Sequence, residues 1–302
     1  MMFEDAMMCF AILSSLLVML AFLRSNNIVI VSLLSGALSL FVAIMYLVLD
    51  APDVAMTEVS ISALVSVFSI YAIKKVYKAS YVFKDSFNPW VFLLCISLGG
   101  LLIYSSLGLV PFGHANFHSY YLDNTKDDIG INSVVAAILA GYRGYDTFFE
   151  TIVVVVAGLS VMLISEQTSY LAIKQDQLIT KVTRFSFPVI LLFALYIQMH
   201  GEISPGGGFQ AGAIIATLLM LYGLSFGEGS LLSLISLERL KIVAVIGVWI
   251  YFSVGIIGLL GAKEFLNYST LGTKNAIMIV ELGVGVAVSA TMVLIYLSVA
   301  NV

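Results

Sequence analysis

Nine stretches of mostly apolar residues, each near the length of about 20 that crosses a bilayer as a helix, constrain this chain more than anything else in it. They run Met7–Leu23, Ile28–Leu49, Asp53–Ile73, Pro89–Val110, Asp146–Ser165, Phe185–Met199, Phe209–Phe226, Lys241–Leu260 and Asn275–Leu297. Hydrocarbon holds no water for a free N–H or C=O, so each stretch has to close its hydrogen bonds internally as a helix. The expected fold is an all-α integral membrane protein of about nine transmembrane helices. Composition agrees: 61% of the residues are hydrophobic and 11% charged, against about 25% charged in soluble domains. Soluble enzyme classes are thereby excluded. Cys9 and Cys95 both lie in apolar runs without a C-x-x-C spacing, which indicates neither a disulfide framework nor a metal site. No glycine-rich phosphate-binding motif occurs. The first residues include Glu4 and Asp5, where a signal peptide would be basic, so the first span is expected to stay.

Basic residues set the expected orientation. With the N-terminus outside, inner loops hold Arg24, Lys74, Lys75, Lys78, Lys84, Lys174, Lys181, Arg184, Arg239 and Lys241, and outer loops hold Lys126, Arg143, Lys263 and Lys274. That asymmetry satisfies the positive-inside rule and places the C-terminus inside. Residues 131–141 have one apolar face, Ile131, Val134, Val135, Ile138 and Leu139, but at about 1.5 Å per residue they are too short to cross. They are expected to form a short interfacial helix. Counting them as a span would carry Lys174, Lys181 and Arg184 outside and spoil the bias. Polar linkers at Lys74–Asn88 and Glu166–Arg184 divide the spans into blocks of three, two and four. The outer segment Pro111–Arg143 carries His114 and His118; in so irregular a loop, interfacial polar contacts are the expected role and no metal site is assigned.

One interruption stands out. M-H-G-E-I-S-P-G-G-G-F-Q-A-G, from Met199 to Gly212, breaks two apolar runs. No helix continues through Pro205, Gly206, Gly207 and Gly208, because proline donates no backbone hydrogen bond and glycine favours open conformations. The chain is expected to turn here and begin a new helix near Phe209. Backbone released from helical bonding at membrane depth survives only against protein or water. Beside a tight hairpin, a second reading follows. His200 and Glu202 adjoin free N–H groups at a helix start and take part in ion movement.

Acids inside spans need a reason, since one near mid-bilayer costs about 2.5–3.5 kcal/mol on insertion scales. Glu58 begins a stripe with Ser62, Ser66 and Ser69. Asp146 and Glu150 open the fifth span beside Thr147 and Thr151. Glu281 shares a face of the last span with Gly285 and Ser289. Asp146 also suits a helix cap, and each of the others could serve an interhelical hydrogen bond. On the expected topology Glu58, Glu150 and Glu281 lie about 6–10 Å inside the outer helix ends, at the level of His200 and Glu202. They are read as one outward half-channel for protons or Na⁺. The inner half shows no comparable series, so a complete route is expected to need a partner subunit.

The motifs also carry a resemblance. H-G-E-I-S-P-G-G-G-F-Q-A-G followed by I-V-E-L-G-V-G-V-A-V resembles the MnhB-type subunit of the Mrp-type multisubunit Na⁺/H⁺ antiporters, over about residues 184–302. That family commonly has a second His where Glu202 stands. A-P-D-V-A-M-T-E-V (51–59) and N-S-V-V-A-A-I-L-A-G-Y-R-G-Y-D-T-F-F-E (132–150) resemble the C-terminal part of the Mrp A subunit. The same regions resemble small subunits of membrane-bound hydrogenases, and the first five spans are similar to the J-type subunit of respiratory complex I. The resemblance implies three modules: 1–80 with three spans, hydrogenase-D-like; 81–175 with two, hydrogenase-E-like; and 176–302 with four, MnhB-like. It implies that Glu58 and Glu150 match functional carboxylates. It also implies a non-catalytic subunit, with no cofactor beyond transported Na⁺ or H⁺, in a bacterial or archaeal cytoplasmic membrane. The implied partners are large antiporter-like A- or D-type and small C- or K-type subunits. The same module in a redox-driven pump, or a purely structural scaffold, are the other readings.

Overall fold

The computed structural model describes residues 2–25, 27–76, 89–107, 117–164, 177–262 and 264–300, all of them helix, turn or loop. Three helices open the chain: α1 (Met2–Arg24), α2 (Ile28–Val48) and α3 (Pro52–Val76). After α4 (Pro89–Leu107) come two short elements, α5 (Phe117–Asp128) and α6 (Val134–Ala136). The latter runs on as a π-helical turn, Ala137–Tyr142, into α7 (Gly144–Ile164). The last part holds α8 (Gln177–His200), α9 (Gly208–Phe226), the short α10 (Glu228–Leu234), α11 (Leu237–Ala262) and α12 (Thr273–Ala300). A single 3-10 turn, Tyr268–Thr270, precedes α12. Among the described residues α1, α2, α7, α8, α9, α11 and α12 are each long and apolar enough to cross a membrane. The helices α3 and α4 occupy the other two expected spans. The expected module boundaries at 80/81 and 175/176, and His114, lie outside the described residues.

The bundle is built on α12. Its Val280, Ala287, Val293, Leu294 and Leu297 are fully buried, and α11, α9 and α7 pack around it. Next, α8 lies against α9, while α3 joins the α1–α2 pair to α9. Lipid is as apolar as leucine, so helices in a bilayer gain from close contact between small residues rather than from hiding apolar surface. The sequence supplies such residues at the seams. A Cβ added at Gly247 of α11 would come within 2.5 Å of the Ala287 nitrogen of α12. On α9, Gly208 and Gly212 are four apart and both face α12. The outward faces are the reverse: Phe10, Leu13, Leu17, Leu20 and Leu23 of α1 are all exposed. Water would not tolerate a contiguous apolar face of that size; the acyl chains of a membrane do. The chain is a multi-pass membrane protein.

A short helix forms near 131–141 as expected, but its buried side differs. Ala136, Ala137 and Ala140 pack into the core with Ile131, while Leu139 is exposed. Small residues win because the segment is pressed against the protein. Its π turn leaves carbonyls that helical bonds do not use, and hydroxyls take them up. The Tyr268 hydroxyl donates to the Ala140 carbonyl at 2.6 Å, and Thr147 donates to Leu139 at 2.7 Å. The Tyr251 hydroxyl donates to the Gly144 carbonyl at 2.8 Å.

Candidate functional site

The turn between α8 and α9 covers residues 201–207, and α9 begins at Gly208, one residue before the expected start. Gly206 has φ +150° and Gly207 φ +134°, a region that residues with a Cβ rarely enter. The open conformation aims the Gly206 N–H at α3, where Asp53 Oδ1 accepts it at 2.8 Å. One turn along α3, the Thr57 hydroxyl accepts from Gln210 Nε2 at 2.8 Å. The turn is thus pinned to α3 from both its own backbone and the first turn of α9.

Glu281 of α12 reaches the other side of the same turn. A Cβ added at Gly201 would lie 2.6 Å from Glu281 Oε2, and one at Gly207 would lie 3.4 Å from Glu281 Oε1 and 3.5 Å from Gln210 Oε1. The glycines therefore make room for the carboxylate. Gly285, one turn further along α12, does the same for Gln198, whose Oε1 would be 2.2 Å from an added Cβ. Glu202 completes the group. Its Oε1 pairs with Lys274 Nζ at 2.9 Å, with the lysine side chain 59% exposed and the glutamate 9%. Glu202 Oε2 and Gln198 Nε2 are out of solvent and have no hydrogen-bond partner among the described residues. The backbone carbonyl of Glu202 accepts from Ser133 N at 3.0 Å, which ties the 131–142 segment to the turn.

Asp53, Glu202 and Glu281 thus bring three carboxylates to one turn with a single ammonium, Lys274. The N-terminus of α9 points its unbonded N–H groups into the same region and favours negative charge there. A polar group buried without a partner costs about 1–3 kcal/mol. Retaining Glu202 Oε2 and Gln198 Nε2 in that state is therefore a feature that packing alone does not reward.

Of the residues singled out from sequence, the structure brings Glu202 and Glu281 together at Pro205, Gly206, Gly207 and Gly208. Glu58 lies elsewhere: its carboxylate accepts from the Ser39 hydroxyl of α2. Ser62 of its stripe also faces α2, where it donates to the Gly36 carbonyl at 3.5 Å. Asp146 forms a surface ion pair with Arg143 at 2.6 Å. Glu150 is exposed on the outer face of α7, beside Phe149 and Val153. The His200 ring stacks on Tyr196 of its own helix, with centroids 4.1 Å apart. Asp53, Gln198, Gln210 and Lys274 are additions. Gln198 and Gln210 are the amides inside the two apolar runs that flank the turn, a signal the sequence does carry.

The Asp53 contact is testable alone. Asp53→Ala leaves the Gly206 N–H without its acceptor, a loss of about 1–3 kcal/mol. Amide hydrogen exchange across 201–210 is expected to speed up about 5- to 150-fold, with α11 unchanged. Unaltered protection would mean that Asp53 does not hold the turn.

Two families match the chain. Residues 178–294, which hold the turn, Glu281 and Lys274, match the family described as a domain related to the MnhB subunit of Na⁺/H⁺ antiporter. Residues 12–78, which supply Asp53, match the family of the D subunit of MBH. This is an MnhB-related membrane chain of the Mrp type. The MnhB-related chain is 29% identical over 165 residues to Na⁺/H⁺ antiporter subunit A1 of Staphylococcus epidermidis, a match covering 53% of this chain and 20% of that one. It therefore spans about a fifth of that curated relative's length. Its fold superposes on a chain of the Mrp complex from Dietzia sp. with a TM-score of 0.78 and 22% identity, over 97% of this chain and 34% of that one. A chain of the membrane-bound sulfane sulfur reductase, an archaeal respiratory membrane complex, matches with a TM-score of 0.55 and 26% identity. That likeness covers 67% of this chain and 95% of the other.

Proposed function

We propose that this MnhB-related chain is a transport subunit of a multisubunit cation/proton antiporter, and that it lines the part of an ion or proton path that opens to the outer face. The observation that carries this is Glu281, held against Gly201 and Gly207 at the turn where Glu202 and Asp53 also meet. Three carboxylates facing one lysine leave negative charge in a region removed from water, and a proton or a monovalent cation has to balance it. Lys274, exposed to the aqueous side, holds one arm of Glu202 and leaves the other buried. An incoming cation or proton has that oxygen and Glu281 to bind. Glu58, Glu150, Asp146 and His200 act outside this cluster, where Glu150 on its exposed face meets a neighbouring subunit. Large antiporter-like and small C- or K-type subunits are the partners in this reading, supported by the antiporter subunit names of the relatives.

The likeness to a respiratory-complex chain favours a second reading, the same subunit in a redox-driven pump. Purification in mild detergent through a tag on this chain separates the two, together with Na⁺-dependent ΔpH measured in everted vesicles with and without it. Co-purifying antiporter-like subunits, and exchange that disappears when this chain is removed, are expected. Iron–sulfur subunits in the complex would overturn the first reading in favour of the second. Full exchange without the chain would overturn both.

A further inference from the structure

The seam between α9 and α12 carries polar groups at both ends. At the turn end stand Glu281 and Gln210. At the other end, where the sequence shows no series of intramembrane acids, the structure buries Glu228 to 6% exposure and Tyr296 to 0%. The Tyr296 ring and hydroxyl lie against Gly223, whose added Cβ would meet the hydroxyl oxygen at 3.2 Å. Glu228 follows that turn of α9 and is the charge that acts on the phenol. Beside them, the Thr183 and Ser225 hydroxyls share a hydrogen bond of 2.6 Å, and Thr180 donates to the Ser225 carbonyl at 3.1 Å. Between the two ends the seam is dry: Ala216, Met220 and Val288 are buried and apolar. Glu281 and Tyr296 are fifteen residues apart on α12, or about 22 Å along a helix.

We infer that Glu228 and Tyr296 form a second proton-binding station, at the end of the α9–α12 seam opposite the Pro205–Gly208 turn. The inference rests on the reading that this chain lines an ion path, and extends it to the inner side. A buried carboxylate is expensive wherever it is, and the neighbouring positions show that this end of the bundle packs well with Leu231 and Leu240. A phenol is both donor and acceptor. Tyr296 can hand its proton to the Glu228 carboxylate while accepting another at the same oxygen, so that no charge is left on the ring. Glu228 then releases the proton to inner water. The apolar middle keeps the two stations from being short-circuited by a continuous water column, as a coupled transporter requires.

The test uses the intact complex in everted vesicles. Glu228→Gln and Tyr296→Phe remove the proton-carrying atoms with little change of shape. Each is expected to lower Na⁺-dependent ΔpH formation about 100-fold, within the range of a lost proton-transfer group, at unchanged subunit composition. Glu228→Asp should retain most of the rate. If Glu228→Gln fails to assemble, Tyr296→Phe decides, read together with the solvent deuterium isotope effect. A rate and isotope effect equal to wild type in an assembled Tyr296→Phe complex overturn the proposal. Should Glu281→Gln stop exchange while Glu228→Gln and Tyr296→Phe leave it intact, the second station falls and the path at the turn stands. Should none of the three alter exchange, both fall.

Discussion

Gly208→Ala is expected to destabilise the assembled protein more than any other single-methyl change at the turn. The added Cβ would lie 2.2 Å from the Glu281 carbonyl oxygen, 2.9 Å from the Gly285 nitrogen and 2.9 Å from Val284 Cβ. Two of these are backbone atoms of α12, which cannot rotate away as a side-chain tip would. Overpacking a well-filled site costs about 1–3 kcal/mol, and a contact this short with backbone belongs at the top of that range. Relief requires α9 and α12 to separate at the point where Gly212 also needs proximity, its own added Cβ being 2.9 Å from the Gly285 carbonyl. A lower thermal midpoint in detergent and less chain in the purified complex are expected. Gly229→Ala is the control, because nothing lies within 4 Å of an added Cβ there. Equal midpoints for the two variants would show that the seam is looser than described.

The helices were legible from the periodicity and length of the apolar runs, and the turn from its proline and glycines. The identity of the converging acids was not, and α3 shows why. It has two polar stripes at helical spacing. Glu58 and Ser62 face α2, whereas Asp53 and Thr57 face α9. Spacing alone marks both stripes as turned away from lipid and says nothing about which neighbour each one meets. The partner of Asp53 is 153 residues away in sequence, beyond any local pattern. Lys274 read as an outer-loop charge, and only folding sets it on Glu202. Asp146 was readable as a helix-start acid because its partner, Arg143, is three residues off. In the 131–142 segment the larger apolar residues mark a face, yet alanines are what the close approach of α12 and Tyr268 accepts.

Glu281→Gln carries the second large expectation. It keeps the shape that Gly201 and Gly207 accommodate and removes the charge. A cation about 4 Å from a carboxylate gains about 4 kcal/mol at an effective dielectric constant of about 20. Losing most of that corresponds to about 100-fold or more in rate. The loss is expected at normal assembly, since amide and carboxylate fill the same volume. Glu202→Gln should act in the same direction while releasing Lys274 from its ion pair. The central claim is that these two acids serve one pocket, and groups that act as a unit are not additive. Na⁺-dependent ΔpH is therefore to be measured in everted vesicles carrying Glu202→Gln, Glu281→Gln and the double variant, each in an intact complex. A shared pocket predicts that the double variant is no slower than the slower single. Losses that multiply, or a Glu281→Gln complex that exchanges at the wild-type rate, would contradict it.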